Sequence, residues 1–139
     1  MYKLVIDTNV LVSSRLSRTG NPAKIMEMVA DEKASLVYSS KIINEYRRVL
    51  AYDKFKFDID KQRATIDDII DIGEFVTPAT SSAFFDKDES DRVFYDTAKS
   101  SGAILITGNI KHYPDEPFIM TPTDFLAFYN SGKYKEIDQ

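Results

Sequence analysis

Apolar runs of only three or four residues, clearest at positions 4–6 and 103–106, alternate along this chain with longer stretches of helical periodicity. A run that short and continuous reads as a strand buried on both faces, the kind found in parallel sheets. Strands alternating with helices then predict a three-layer α/β/α fold, a central parallel β-sheet covered by helices on both sides. At 139 residues, with nine Phe and eight Tyr, the chain is long enough for one domain with a proper core. We read residues 1–131 as that domain and residues 132–139 as a polar, frayed tail.

The intervening segments carry specific start and stop signals. Asn21 and Pro22 open a helix whose apolar face is Ile25, Met26, Met28 and Val29. Ser35–Tyr38 is a second strand, and Ser39 or Ser40 can cap the helix of Ile42, Ile43, Tyr46, Val49 and Leu50. A further helix is expected over residues 60–72, with Ile66, Ile69, Ile70 and Ile72 apolar, then a weak strand at Phe75 and Val76 before Pro78. After an acidic loop at 86–90, Val93, Phe94, Thr97 and Ala98 share one side of a helix that Gly102 stops. A short strand at 118–120 precedes Thr121-Pro122-Thr123-Asp124, a capping box that launches a helix over 125–129.

Function classes narrow quickly. Cysteine is absent, which removes disulfides and thiolate chemistry, and a lone histidine, His112, cannot supply an acid–base histidine pair. Neither a Gly-x-Gly-x-x-Gly nor a Gly-Lys-Ser/Thr loop occurs, so dinucleotide and P-loop readings fail. No run approaches 18 apolar residues and none resembles a secretory leader, so a cytoplasmic protein with no membrane partner is expected. A net charge of −4 argues against a general nucleic-acid binder, unless carboxylates converge on a divalent cation that reverses the local sign.

Ligands of open α/β sheets bind beyond the carboxyl ends of the strands. Three such ends are rich in oxygen: Asp7-Thr8-Asn9, Ser39-Ser40 and Thr107-Gly108-Asn109. Glu45 lies beside the apolar stripe of its helix, and Asp91 begins the helix after the acidic loop. Each has an ordinary explanation. Asp7 suits a turn or an N-cap, Glu45 a solvated helix face, Asp88 and Asp91 a capping box, and Asn109 a turn in the left-handed region. Taken singly, these explanations are the better ones for all but Asp7, where both readings stand. Joint placement at strand ends favours a site. Grouped carboxylates suit a hard cation such as Mg²⁺, which activates a bound water and neutralises a phosphodiester.

At this point the chain resembles a known family. Val5-Ile6-Asp7-Thr8-Asn9-Val10-Leu11 is similar to the opening motif of PIN-domain nucleases, and Glu45 in Ile43-Asn44-Glu45-Tyr46 matches their second acidic position. Asp88-Glu89-Ser90-Asp91-Arg92-Val93-Phe94 resembles the acidic loop and third acid, carried by Asp91, with Asp86, Asp88 and Glu89 left open as its companion. Thr107-Gly108-Asn109 matches the fourth site, here neutral. His112-Tyr113-Pro114 and Thr121-Pro122-Thr123-Asp124-Phe125-Leu126 look like a bacterial and archaeal branch of toxins from toxin–antitoxin pairs.

The resemblance implies a PIN-like fold and an endoribonuclease working with one or two Mg²⁺ or Mn²⁺ ions. Asp7, Glu45, Asp91 and Asn109 would form the catalytic set, the first three holding metal. Thr8, Asn9, Asp88 and Thr107 would support it. Arg15, Arg47, Arg48 and Lys111, with Arg18 and Lys41, are candidates to meet RNA phosphates, although any one of them alone reads as a solvated surface charge. The implied partners are RNA, a small antitoxin and a second copy of the chain. Two alternatives remain: a PIN-like interaction module that no longer cleaves, and a phosphotransfer enzyme using Asp7 as nucleophile, weakened because Asn9 stands where a second aspartate belongs.

Overall fold

The computed structural model describes residues 1–80 and 89–132, with the Glu89 side chain excepted. Five strands form one fully parallel sheet: β1 (Lys3–Ile6), β2 (Ser35–Tyr38), β3 (Glu74–Phe75), β4 (Ile104–Ile106) and β5 (Ile119–Met120). The spatial order is β3-β2-β1-β4-β5. The chain therefore winds outward from β1 in one direction through β2 and β3, then returns to lay β4 and β5 on the other side. Strands β1 and β4 are paired neighbours whose connections leave in opposite directions, and at such a point a doubly wound sheet opens a crevice at its carboxyl edge.

Six helices flank the sheet among the described residues: α1 (Thr8–Leu16), α2 (Asn21–Ala30), α3 (Ser40–Leu50), α4 (Ile59–Ile72), α5 (Arg92–Ser101) and α6 (Pro122–Asn130). Helix α5 packs across β1, β2 and β4, while α2 packs against both α1 and α6. Leu4, Val5, Ile6, Leu36, Val37, Leu105 and Ile106 are all buried, as strands covered on both faces require. Their runs are continuous because neither face meets water.

Several boundaries follow the start and stop signals. Ser39 accepts a hydrogen bond from the Ile42 N–H, Asp58 from Lys61 and Thr121 from Asp124, each a side-chain N-cap. Gly102 ends α5 in the left-handed region at φ 69°, which a side chain would resist.

Three expectations need correction, and one element, helix α1, has no counterpart in the sequence reading; it forms because the Asp7 carbonyl accepts from the Val10 and Leu11 N–H groups as soon as β1 ends. In α4, Ile66 and Ile69 are buried but Ile70 and Ile72 are exposed, so the stripe facing the core is narrower than the run of isoleucines suggested. Strand β3 is Glu74–Phe75 rather than Phe75 and Val76, although the Val76 N–H still donates to the Tyr38 carbonyl. Asn109 does precede a turn, Ile110–His112, but at φ −122° it lies outside the left-handed region that the turn reading allowed it. The acidic residues Asp86 and Asp88 and the tail from 133 lie outside the described residues.

Gly73 closes α4 against β2 with almost no clearance. A Cβ there would lie 2.7 Å from the Ile69 carbonyl oxygen and 2.8 Å from the Tyr38 ring. Gly73→Ala must therefore push helix and strand apart, and such overpacking costs about 1–3 kcal/mol. Urea denaturation should show a lower midpoint with little change in slope; an unaltered midpoint would mean that the α4–β2 contact yields freely.

Candidate active site

The site grows from the end of β1. Asp7 occupies the N-cap position of α1, yet its side chain makes no capping bond. The carboxylate turns instead across the sheet, where its Oδ2 accepts hydrogen bonds from the Thr107 hydroxyl at 2.8 Å and the Tyr113 hydroxyl at 2.8 Å. Thr107 follows β4 and is completely buried, and its Oγ1 also accepts from the Asn109 N–H. Asn9 adds a second tie between the two strand ends, its Oδ1 accepting from the Gly108 N–H at 3.0 Å. Three side-chain bonds thus add to the backbone bond from the Asp7 N–H to the Ile106 carbonyl, and two of the three end on one carboxylate oxygen.

Burial dominates the electrostatics. Removal from water raises the Asp7 pKa above its ordinary 3.8, against the lowering effect of the Thr107 and Tyr113 hydrogen bonds. The Tyr113 phenol is itself pushed up, first by burial and then by the negative charges of Asp7 and Asp91. Asp91 therefore faces the same hydroxyl that Asp7 holds. Its own carboxylate lies 3.3 Å from the His112 Nδ1. Asp91 also stands at an N-cap without capping, because φ −74° and ψ −20° make its backbone already helical. The capping-box reading also needs Asp88, which lies outside the described residues.

Glu45 reaches the neighbourhood by a different route. The Tyr46 hydroxyl donates to the Ile6 carbonyl at 2.5 Å, pinning α3 to the end of β1 one residue before Asp7. Glu45 then lines a cleft of about 530 Å³ beyond the carboxyl ends of β2 and β3, together with Ser39, Ser40, Val76, Arg92 and Asp96. Asp7 is not part of that lining. The Glu45 carboxylate is gripped by Arg48, from Nη2 at 2.5 Å and Nε at 3.2 Å. Among the described residues, no three His, Asp or Glu side chains stand close enough to share a metal ion.

The other anticipated residues are dispersed. Asn109 is exposed, its backbone N–H donating to Thr107 and its carbonyl accepting from the His112 N–H, and Lys111 is exposed on the turn Ile110–His112. Arg47 borders a hollow with Ile59, Gln62 and Arg63 of α4. Arg15 borders a groove with Arg18 and Lys61. Thr8 is buried, and its Oγ1 has no hydrogen-bond partner among the described residues.

Residue reasoning missed three participants. Tyr113 and His112 were noticed only as part of a resemblance, since nothing in a loop tyrosine announces a bond to a residue 106 positions away. Asp96 could have been flagged, because it is a buried carboxylate within the apolar face of α5.

Comparison with known proteins decides the family. Residues 3–111 match the family model described as a PIN domain. The chain belongs to the PIN-domain family. PIN domains are nucleases, so a phosphodiester hydrolase is the class of activity the family brings. A similar protein is the uncharacterized protein MJ1680 of Methanocaldococcus jannaschii, 28% identical over 139 residues, covering 98% of this chain and 81% of that one. Among solved structures, the crystal structure of VapBC2 from Rickettsia felis, bound to a DNA fragment from their promoter, superposes with a TM-score of 0.55 at 17% identity. The match covers 78% of this chain and 89% of the other, and it shows a shared fold. No helix among the described residues is long and apolar enough to cross a membrane.

A sign follows from the raised Asp7 pKa. The folded protein holds this proton more readily than the unfolded chain does. The stability Asp7 contributes is thus fully present below pH ~3.8 and is lost as pH rises through the higher folded value. At neutral pH the desolvation penalty is in force. Asp7→Asn removes the charge and keeps the shape, so in EDTA at pH 7 it should melt above wild type, with the gap closing toward pH 3 or so. A mutant that melts lower at pH 7 would show that the two hydroxyl bonds need a charged acceptor more than the fold resists one.

Proposed function

We propose that this PIN-domain protein is a metal-dependent endoribonuclease and the toxin of a toxin–antitoxin pair. The observation that carries the nuclease reading is the pairing of Asp7 and Asp91 around Tyr113 at the β1–β4 crevice, two carboxylates at helix N-caps that do not cap. The donor set fits a hard divalent cation: carboxylate oxygens, no thiolate, and a buried threonine hydroxyl beside Asp7 that lacks a partner. Asp7 and Asp91 would hold Mg²⁺ or Mn²⁺. Bound there, the cation would supply an activated water and offset charge on the phosphodiester.

The chain's own residues prepare that chemistry. Thr107 and Tyr113 both donate to Oδ2 of Asp7, which fixes the plane of the carboxylate and leaves Oδ1 unclaimed by either. His112 holds Asp91 from the opposite side. Asn109 supports the shell through its backbone bond to Thr107, and Glu45, now held by Arg48, would join the site on releasing that arginine. The His112-Tyr113-Pro114 and Thr121–Leu126 resemblances, together with the fold shared with VapBC2, support the toxin reading and a small antitoxin as partner.

A second reading has one observation in its favour. Arg48 already neutralises Glu45, as it would in an interaction module that no longer cleaves. The two readings part in a cleavage assay. RNA should be cut with Mg²⁺ or Mn²⁺ and left intact with excess EDTA, and Asp7→Asn and Asp91→Asn should each lose at least about a hundredfold in rate. Asp58→Asn should cut normally, since Asp58 is occupied in capping α4. Full activity in EDTA would remove the metal mechanism. Inactivity of the wild type under every metal condition would favour the interaction module.

Thermal melts give a readout independent of turnover. Mg²⁺ at ~100 times its Kd adds about 2.7 kcal/mol to the folded state, so the wild-type midpoint should rise and that of Asp91→Asn should barely move. Equal shifts in both would place the ion elsewhere. Expression of the wild type alone should arrest growth and Asp7→Asn should relieve the arrest; equal inhibition by both would count against a toxin.

A further inference from the structure

The turn between α3 and α4 carries an aromatic ladder that the site does not use. Tyr52, Phe55 and Phe57 lie in near-parallel series: ring centroids are 6.3 Å apart at 13° for the first pair and 6.0 Å apart at 25° for the second. Phe57 and Phe55 are half-buried against the core, which anchors the inner end. Tyr52, at the outer end, is exposed. Cations border every ring. The Arg48 guanidinium lies 5.5 Å from the Tyr52 centroid, the Lys54 ammonium 5.1 Å from Phe55, and the Lys61 ammonium 5.0 Å from Phe57.

The surrounding charge is unlike that of the rest of the chain. Residues 47–63 hold six Lys and Arg against three Asp, in a protein whose net charge is −4. One of those three, Asp58, is spent on the N-cap of α4. Packing alone accounts for Phe55 and Phe57 but not for an exposed tyrosine continuing their stack under two cations. Ring faces flanked by mobile cations are what a single strand needs: bases stack without regard to sequence, and the cations follow the phosphates. Arg48 connects this ledge to the cleft, because it bonds both the Tyr52 hydroxyl and the Glu45 carboxylate.

We propose that the Tyr52–Phe55 ledge binds single-stranded RNA outside the catalytic crevice, stacking unpaired bases on the rings while Arg48 and Lys54 meet the adjacent phosphates. The inference deepens the ribonuclease reading and rests on it for the identity of the strand. A duplex, whose bases are already stacked and paired, offers the rings nothing, so the ledge selects unpaired substrate.

The test separates stacking from charge and binding from cleavage. Fluorescence anisotropy with the full chain in EDTA would compare a short labelled oligouridylate, an abasic ribose-phosphate oligomer of equal length and an RNA duplex. Oligouridylate should bind most tightly. Tyr52→Ala should weaken it on the order of tenfold, the scale of one base–aromatic stack, and leave the abasic oligomer unchanged. Tyr52→Phe should retain binding, and Lys54→Ala should weaken both oligomers alike. Equal affinity for oligouridylate and abasic oligomer, or an unaltered Tyr52→Ala, would overturn the proposal. Circular dichroism and melting of Tyr52→Ala guard against a folding artefact, and Tyr52→Leu, which keeps apolar bulk without a ring face, should behave as the alanine variant does. With Mg²⁺ present, Tyr52→Ala should raise KM and spare kcat. If no variant cleaves RNA but the EDTA pattern holds, the ribonuclease reading fails and the ledge stands; if cleavage persists and the pattern is absent, the ledge fails alone.

Discussion

A single carboxylate oxygen gathers two hydroxyls at the point where the winding of this sheet reverses. The Oδ2 of Asp7 takes hydroxyl bonds from Thr107, just past β4, and from Tyr113, beyond the turn that follows it. Strands β1 and β4 are paired through Ile6 and Ile106, and their connections leave in opposite winding directions, so the polar groups just beyond their carboxyl ends face a crevice. Asp7 ties across that crevice at the expense of its own hydration, and burial pushes its pKa up. A fold that needed only a bridge could have used a neutral acceptor. Retention of a charged one under that penalty is intelligible if a cation is its second partner.

The N-caps divide along the same line. Ser39, Asp58 and Thr121 satisfy helix N–H groups with their side chains, whereas Asp7 and Asp91 occupy cap positions and do not. Asp58 is the informative contrast, being the same residue type in an extended cap conformation that does cap. Asp91 is denied a cap by its helical backbone, while Asp7 has permissive dihedrals and is drawn away by hydroxyls. Both acids gain from the positive ends of their helices without being consumed by them. Glu45 differs in kind. Tyr46 fixes its helix, but its carboxylate is free to change partners, and Arg48 is the partner it has.

The extent to which this could be read from the chain depends on the range of the interaction. Strands β1, β2 and β4 were legible because burial on both faces writes a continuous apolar run, and α3 and α5 because burial on one face writes a period of 3.6. Helix α1 was not, since Val10-Leu11-Val12 is buried all round and loses its periodicity. Asp7, Asp91 and Thr107 could be picked out by their places at element ends. Tyr113 could not, because its bond to Asp7 depends on how a turn is folded, and local sequence does not encode a contact that only the packed sheet creates. The Glu45–Arg48 fork lies between those cases: the i,i+3 spacing permits it, but whether an exposed arginine takes a glutamate or a phosphate is set by what else is present.

Charge is the remaining tension, for an acidic protein is proposed to grip a polyanion. Net charge governs the far field, but at physiological salt that field is screened within about 8 Å, so contact is decided by local sign. Two local reversals are available. One is the crevice, where a bound divalent cation outweighs any single carboxylate. The other is the segment 47–63, whose cations outnumber its acids while the rest of the chain is more acidic for it. Arg48 links the second of these to the neighbouring cleft, with one end of its guanidinium on Glu45 and the other on Tyr52. On the proposed reading, a strand laid along the ledge would compete for that guanidinium, and a phosphate that captured it would leave Glu45 uncompensated and open to a cation. Substrate and cation would then favour each other through one arginine.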